Sequence, residues 1–265
     1  MKKTLLIAAA ALIGASAFAA DVVSSANVVG YSQVELAPGF SMIRVPFVDG
    51  TNSVNIQDAL DPSVMAQGGS AVTADEILLW DNIGLQYTGY YLTDGSTKAT
   101  TGKEGKWVDV AGNLATELLA PGTGFFISKF GSTATNILSG DVVDAATGTS
   151  SLELLEGFNL IANPFTSEWD LNSTNIDWVA EGAKSGGSAV TADEILLWDS
   201  VGLQYTGYYL TDGSTKATTG KDGKWVDTAG SLLTNNIGLN QGFFYSRTIG
   251  QATATIGIDQ PYTLD

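Results

Sequence analysis

The chain has 265 residues with no cysteine and no histidine, and its 28 acidic against 12 basic residues give a formal net charge of −16. Disulfides and thiolate metal sites are therefore ruled out, and so are the commonest general base and the commonest transition-metal ligand. Charge of this sign makes nucleic acid and anionic membrane poor partners.

Lys2 and Lys3 precede an apolar run from Thr4 to Ile13, and Ala17 and Ala19 stand at the spacing a signal peptidase reads. Residues 1–19 are expected to be a secretory signal peptide. Its removal leaves 10 basic residues against 28 acidic ones. No later apolar stretch approaches the roughly 18–20 residues of a transmembrane helix, so the mature chain is expected to be exported without a transmembrane segment, to the periplasm, the cell surface or the extracellular space.

Val28–Leu36 and Phe40–Phe47 are β-branched or apolar stretches separated by Ala37-Pro38-Gly39. That spacing predicts a hairpin. Asn52–Leu60 has the pattern of one or two helical turns capped by Asn52 or Ser53, but Trp169–Trp178 at the equivalent place lacks it, so the segment is read as a variable connection. The apolar run Ile77–Trp80, closed by Asp81-Asn82 and Gly84, predicts a strand, although Thr73 and Glu76 fit a capping box. Leu85–Leu92 places aromatic residues at period two and should pair with it. A polar, glycine-containing loop runs to Lys106, after which Trp107-Val108 resumes a strand pattern. Phe125-Phe126-Ile127, following Ala120-Pro121-Gly122, predicts a closing strand.

The whole pattern recurs. Gly68–Gly112 returns 118 residues later as Gly186–Gly230 with four changes: Asn82 to Ser200, Ile83 to Val201, Glu104 to Asp222 and Val110 to Thr228. The same offset aligns Gly39, Phe40, Ile43, Pro46 and Phe47 with Gly157, Phe158, Ile161, Pro164 and Phe165, whereas 49–67 and 167–185 share no aligned residue. Many short strands with glycine-rich turns imply an all-β fold of two tandem antiparallel modules, sandwich or barrel-like, at 20–145 and 146–265. Each is about 115 residues, enough to bury its own core.

Gly157-Phe158-Asn159-Leu160-Ile161-Ala162-Asn163-Pro164-Phe165, Trp198-Asp199 and Gly242-Phe243-Phe244 follow a "GWNLIGNP, then W-D/N-G, then PGxGFW" pattern. It resembles a β-module of exported bacterial proteins, and Ser25–Tyr31 resembles the mature N-terminus of two-module members. The resemblance implies an exported, non-enzymatic surface module. The first module departs from it, with Arg44-Val45 in place of Ala162-Asn163.

Three sets of residues are candidates for contact. Trp80, Tyr87, Tyr90, Tyr91 and Trp107, with their copies Trp198, Tyr205, Tyr208, Tyr209 and Trp225, could stack on the apolar faces of sugars or fill a β core; Tyr90 and Tyr208 are the residues expected at the surface. The carboxylates Asp75, Glu76, Asp81, Asp94 and Asp109, and above all Asp81, Asp94, Asp199 and Asp212, are weak calcium candidates, since Asp before Gly or Asn is ordinary turn chemistry. Lys98, Lys103, Lys106, Lys216, Lys221 and Lys224 concentrate the basic charge in two equivalent loops that could dock on an acidic face of another copy. No catalytic constellation is evident, and no cofactor other than possible Ca2+ is expected. The residues point to a non-catalytic structural or interaction protein of the cell exterior, as a surface-layer, fibre or matrix component whose partner is itself. Bivalent carbohydrate binding to surface glycans is the alternative, and a carboxylate-based glycoside hydrolase a distant third.

Overall fold

The computed structural model describes residues 28–50, 52–173 and 176–264; the expected signal peptide lies outside them. The fold is all-β and antiparallel. In chain order the strands are β1 (Val29–Leu36), β2 (Gly39–Ile43), β3 (Phe47–Val48), β4 (Val54–Asn55), β5 (Glu76–Asp81), β6 (Gln86–Thr93), β7 (Lys106–Val108), β8 (Leu118–Leu119), β9 (Phe125–Lys129) and β10 (Ala134–Val142). The second half adds β11 (Thr149–Leu154), β12 (Gly157–Ala162), β13 (Glu194–Asp199), β14 (Gln204–Thr211), β15 (Lys224–Val226), β16 (Gly242–Arg247) and β17 (Ala254–Asp259). No helix among the described residues is long and apolar enough to cross a membrane.

Two five-stranded sheets have matching orders, β2-β9-β5-β6-β7 and β12-β16-β13-β14-β15. Each is accompanied by a ribbon, β1 on β10 (with β3 beyond it) in the first half and β11 on β17 in the second. Alternation decides which side chains join which layer, because neighbours along a strand point to opposite faces. In the first half, Ile77, Phe125 and Ile127 meet Leu36 and Leu138 of the ribbon in one core. In the second, Ile195, Phe243 and Tyr245 meet Leu152, Leu154, Ile256 and Ile258. The opposite faces of the two sheets, carrying Phe126 and Phe244, meet each other, with ring centroids 6.4 Å apart. The layers therefore run ribbon, sheet, sheet, ribbon.

The expected pairing of Ile77–Trp80 with Leu85–Leu92 is present, with Trp80 opposite Tyr87. Two local expectations are corrected. β1 and β2 do not form a hairpin: β1 pairs with β10 and β2 with β9, so the Ala37-Pro38-Gly39 turn carries the chain from one sheet to another. β9 is not the last strand of its half, because β10 follows it to complete the ribbon. Within the variable connection over Asn52–Leu60 the structure has a 3-10 turn at Ile56–Asp58 whose cap is Asn55, its side chain accepting from the Gln57 N–H.

Each half also holds a buried ion pair at equivalent positions. Lys129 Nζ lies 3.0 Å from Asp75 Oδ2 and Arg247 Nη1 3.3 Å from Asp193 Oδ2. Backbone N–H groups of Ala66 and Phe130 also donate to Asp75, as those of Lys184 and Thr248 do to Asp193. These bonds offset the cost of burying the charges.

Candidate functional site

The two sheets meet along a seam built twice from the same residues. Trp80 Nε1 donates to the Phe158 carbonyl at 2.7 Å, and Trp198 Nε1 donates to the Phe40 carbonyl at 2.7 Å. Phe40 and Phe158 are themselves 118 apart, so the contact is reciprocal. The rings repeat the relation, with Trp80 on Phe244 at 5.5 Å and Trp198 on Phe126 at 5.8 Å. At the corners, Ile43 bridges Gln241 and Ile161 bridges Thr123. A residue of one half thus touches the other half as its copy does in return, which is the pattern of an isologous twofold interface made within one chain.

Glycine is required on this pseudo-axis. A Cβ on Gly124 would lie 2.9 Å from the Ile161 carbonyl oxygen, and one on Gly242 would lie 3.0 Å from that of Ile43 and 3.3 Å from Gly124 Cα. The glycine before each Phe-Phe pair lets the two backbones approach.

Arg44 breaks the symmetry. Arg44, only 1 % exposed, donates through Nε to the Leu239 carbonyl at 2.6 Å, through Nη2 to Phe165 O at 2.6 Å and through Nη1 to Asn163 O. All three acceptors belong to the second half. Loss of hydration pulls the guanidinium down to about 9, leaving it charged at neutral pH. Its counterpart is Ala162, whose N–H donates to Gly122 O at 2.8 Å just as the Arg44 N–H donates to Asn240 O at 3.0 Å.

The seam and the cores account for most of the rings expected to contact a ligand. Trp107 and Trp225 are 0 % exposed and belong to the cores, and Tyr90, Tyr91 and Tyr209 are buried as well. The expectation that Tyr90 lies at the surface is corrected: it sits on the core face of β6, where its hydroxyl donates to Glu117 Oε1. Tyr208 is half-buried against the second core. Alternation correctly separates Tyr90 from Tyr87 and Tyr91, but the sequence does not say that both faces of the sheet are covered. Tyr87 and Tyr205 remain 41 % and 42 % exposed at the rim of the seam, packed on Trp80 and Trp198. Partial burial pushes the Tyr87 hydroxyl up to about 12.

The lysines divide. Lys103 Nζ donates to the carbonyls of Ala99 and Gly112, and Lys221 Nζ to those of Ala217 and Gly230, so both tie their own loops together instead of offering free charge. Lys224 Nζ donates to Asn172 O at 2.8 Å. Lys98, Lys106 and Lys216 are exposed.

The acidic candidates are spread over separate turns. Asp81, Asp94, Asp199 and Asp212 each accept at 2.9 Å from the N–H two residues on. Turn hydrogen bonds hold their pKa values below the usual carboxylate value, led by the Gly84 and Gly202 N–H groups at Asp81 and Asp199, and by Ser96 and Ser214 at Asp94 and Asp212. Among the described residues no three acidic side chains converge as a metal site. Asp75 lies in its ion pair, apart from any cleft with Glu76.

The chain stands without a match to any family model, curated protein or solved structure in the comparisons made.

The seam leaves a cleft at each corner. One, of about 380 Å3, is lined by Trp80, Asn82, Glu117, Thr123, Ser151 and Glu153; the other, of about 390 Å3, is lined by Trp198, Ser200, Glu35, Asn240 and Gln241. Trp80 and Trp198, Asn82 and Ser200, Glu153 and Glu35, and Thr123 and Gln241 are equivalent at the repeat offset. Neither cleft was singled out from the sequence. Each is assembled from β-segments far apart in the chain, and only the two tryptophans belong to the aromatic set expected there.

Proposed function

We propose that this is an exported, non-catalytic protein of the cell exterior that works by contact, as a matrix or surface component built from two modules locked to each other. The observation that carries the reading is the reciprocal seam. It joins two near-identical cassettes in fixed relative orientation, so that whatever the cassettes leave exposed is displayed twice. The exposed tips are Val72 and Val190 beside Ser70–Thr73 and Ser188–Thr191, and the loop lysines Lys98 and Lys216. A rigid body with duplicated faces on an acidic surface suits repeated contact with copies of itself. Asp81, Asp94, Asp199 and Asp212 lie in turns and Asp75 and Asp193 in buried ion pairs, which supports contact over chemistry.

The test is light scattering after size-exclusion chromatography of the mature chain, over a range of concentrations, with calcium and with a chelator. Concentration-dependent association is expected, reduced by high salt and by Lys98→Glu with Lys216→Glu. A monomer under every condition excludes self-assembly, and recovery of the chain with an intact N-terminus inside the cell excludes export.

A further inference from the structure

The two corner clefts are built from equivalent segments, yet one is braced and the other is open. In the Trp198 cleft, Asn240 crosses to the ribbon: its Nδ2 donates to Gln33 O at 2.8 Å, and its Oδ1 accepts from Ser32 Oγ at 2.8 Å. The position equivalent to Asn240 is Gly122, with φ +84° and no side chain to make that crossing. A Cβ there would lie 2.4 Å from Leu152 Cδ2, so any side chain at 122 enters the cleft or displaces its wall. β11 pairs with β17 alone, as β1 pairs with β10 alone, so the outer edge of each ribbon is free of a second strand and the Asn240 crossing is what separates the two clefts.

We propose that the Trp80 cleft binds a neutral pyranose residue of a glycan, and that the chain carries one such site instead of two. This rests on the reading of the protein as an exterior contact protein and names what it contacts. Trp80 gives one wall of the cleft, held in place because its indole N–H is bonded across the seam and its ring packs at 4.9 Å on Tyr87. A fixed aromatic surface matches the apolar face of a sugar ring at little entropic cost. Around it stand two carboxylates, Glu117 and Glu153, with the Asn82 amide and the Thr123 and Ser151 hydroxyls. Carboxylates only accept, and vicinal sugar hydroxyls donate to them in charge-assisted bonds; the amide and hydroxyls supply both donors and acceptors. Two carboxylates and no basic residue in the lining work against phosphates, sulfates and uronates. The volume lies within the usual range for small-ligand sites and accommodates one or two rings. In the second half Asn235 stands at the position equivalent to Glu117 and is not part of the lining of the other cleft, where Asn240 spans the gap.

The test is isothermal titration of the mature chain with a panel of neutral tetrasaccharides (cello-, xylo-, manno- and chito-oligomers), an oligoglucuronate and a lysine-rich peptide. At least one neutral member is expected to bind with one site per chain and to alter tryptophan fluorescence, while the oligoglucuronate does not bind. Gly122→Asn, which places a side chain in the cleft, is expected to weaken binding by about tenfold or more, equivalent to ~1.4 kcal/mol. Glu153→Gln is expected to weaken it as well, and Glu35→Gln in the braced cleft to leave it unchanged. If Gly122→Asn unfolds, Glu153→Gln against Glu35→Gln decides the matter alone. The proposal is overturned if no neutral member binds, if two sites titrate, if Glu35→Gln matches Glu153→Gln, or if only the lysine-rich peptide binds. Those outcomes leave export and self-association standing, because chromatography and N-terminal analysis measure them separately.

Discussion

The segments 49–67 and 167–185 occupy equivalent places in the two halves and have no aligned residue in common, yet they perform the same task. In the first half the Gln57 side chain accepts from Trp107 N at 3.0 Å and donates to the carbonyls of Trp107 and Ala115. In the second half Asn172 accepts from Trp225 N at 2.7 Å and donates to the carbonyls of Trp225 and Leu233. One amide closes the same edge of β7 or β15 in each half, but from positions that do not align; the longer glutamine side chain comes from a 3-10 turn. The apolar filling differs too: Ile56, Leu60 and Met65 cover Trp107, whereas Trp169, Leu171 and Trp178 lie in the core with Trp225. An identical cassette poses identical demands, an edge to cap and a tryptophan to cover. Unrelated sequences meet those demands because hydrogen-bond satisfaction and volume matter more than residue identity. The centre of the seam behaves in the opposite way: its tryptophan bonds, its ring contacts and its corner bridges are copied from one side to the other, while Arg44 and Asn240 add contacts that only one side makes.

The comparison breaks most sharply at Arg44. Replacing it with Ala removes the donors from three carbonyls of the second half and should cost at least about 3 kcal/mol in urea unfolding. Ala162→Arg should also destabilise, by about 1–3 kcal/mol, because that site is fully packed. If Ala162→Arg were neutral, the two sides of the seam would be interchangeable, and Arg44 would have no part in fixing which half sits where.

A smaller effect tests the symmetric part. Trp80→Phe and Trp198→Phe each delete one indole N–H bond across the seam, and each should lower stability by about 1–2 kcal/mol. Losses that differ well beyond the error of the measurement would show that the halves do not share the load equally.

The smallest expected change concerns Glu76 and Glu194, equivalent carboxylates on the seam face of β5 and β13, both half-buried. Burial raises their pKa above the ordinary value of 4.5. The folded state then holds protons that the unfolded state has released, so this contribution to stability is lost as pH rises from about 4.5 through the folded values. Glu76→Gln and Glu194→Gln should each raise the melting temperature slightly at neutral pH, with the gain vanishing below pH 4.5. A gain that persisted in acid would assign the effect to packing instead of charge.

Read as a sequence, the chain specified its all-β class, the β5–β6 and β13–β14 hairpins and the division of Tyr87 from Tyr90, because period-two alternation and the turn residues Asp81 and Gly84, with their copies Asp199 and Gly202, are local signals. The repeat at offset 118 likewise needs no structure to be seen. Tertiary structure alone decided that β1 leaves β2 to pair with β10, that the second face of each sheet is covered by the other half, and that Lys103 and Lys221 serve their own loops. It also decided that Gly122 and Asn240 make unlike clefts from like segments. These outcomes depend on pairings between residues up to 208 positions apart, such as Ser32 with Asn240. Local propensity carries no information about such pairings, and the burial of both sheet faces becomes visible only when the layers are stacked.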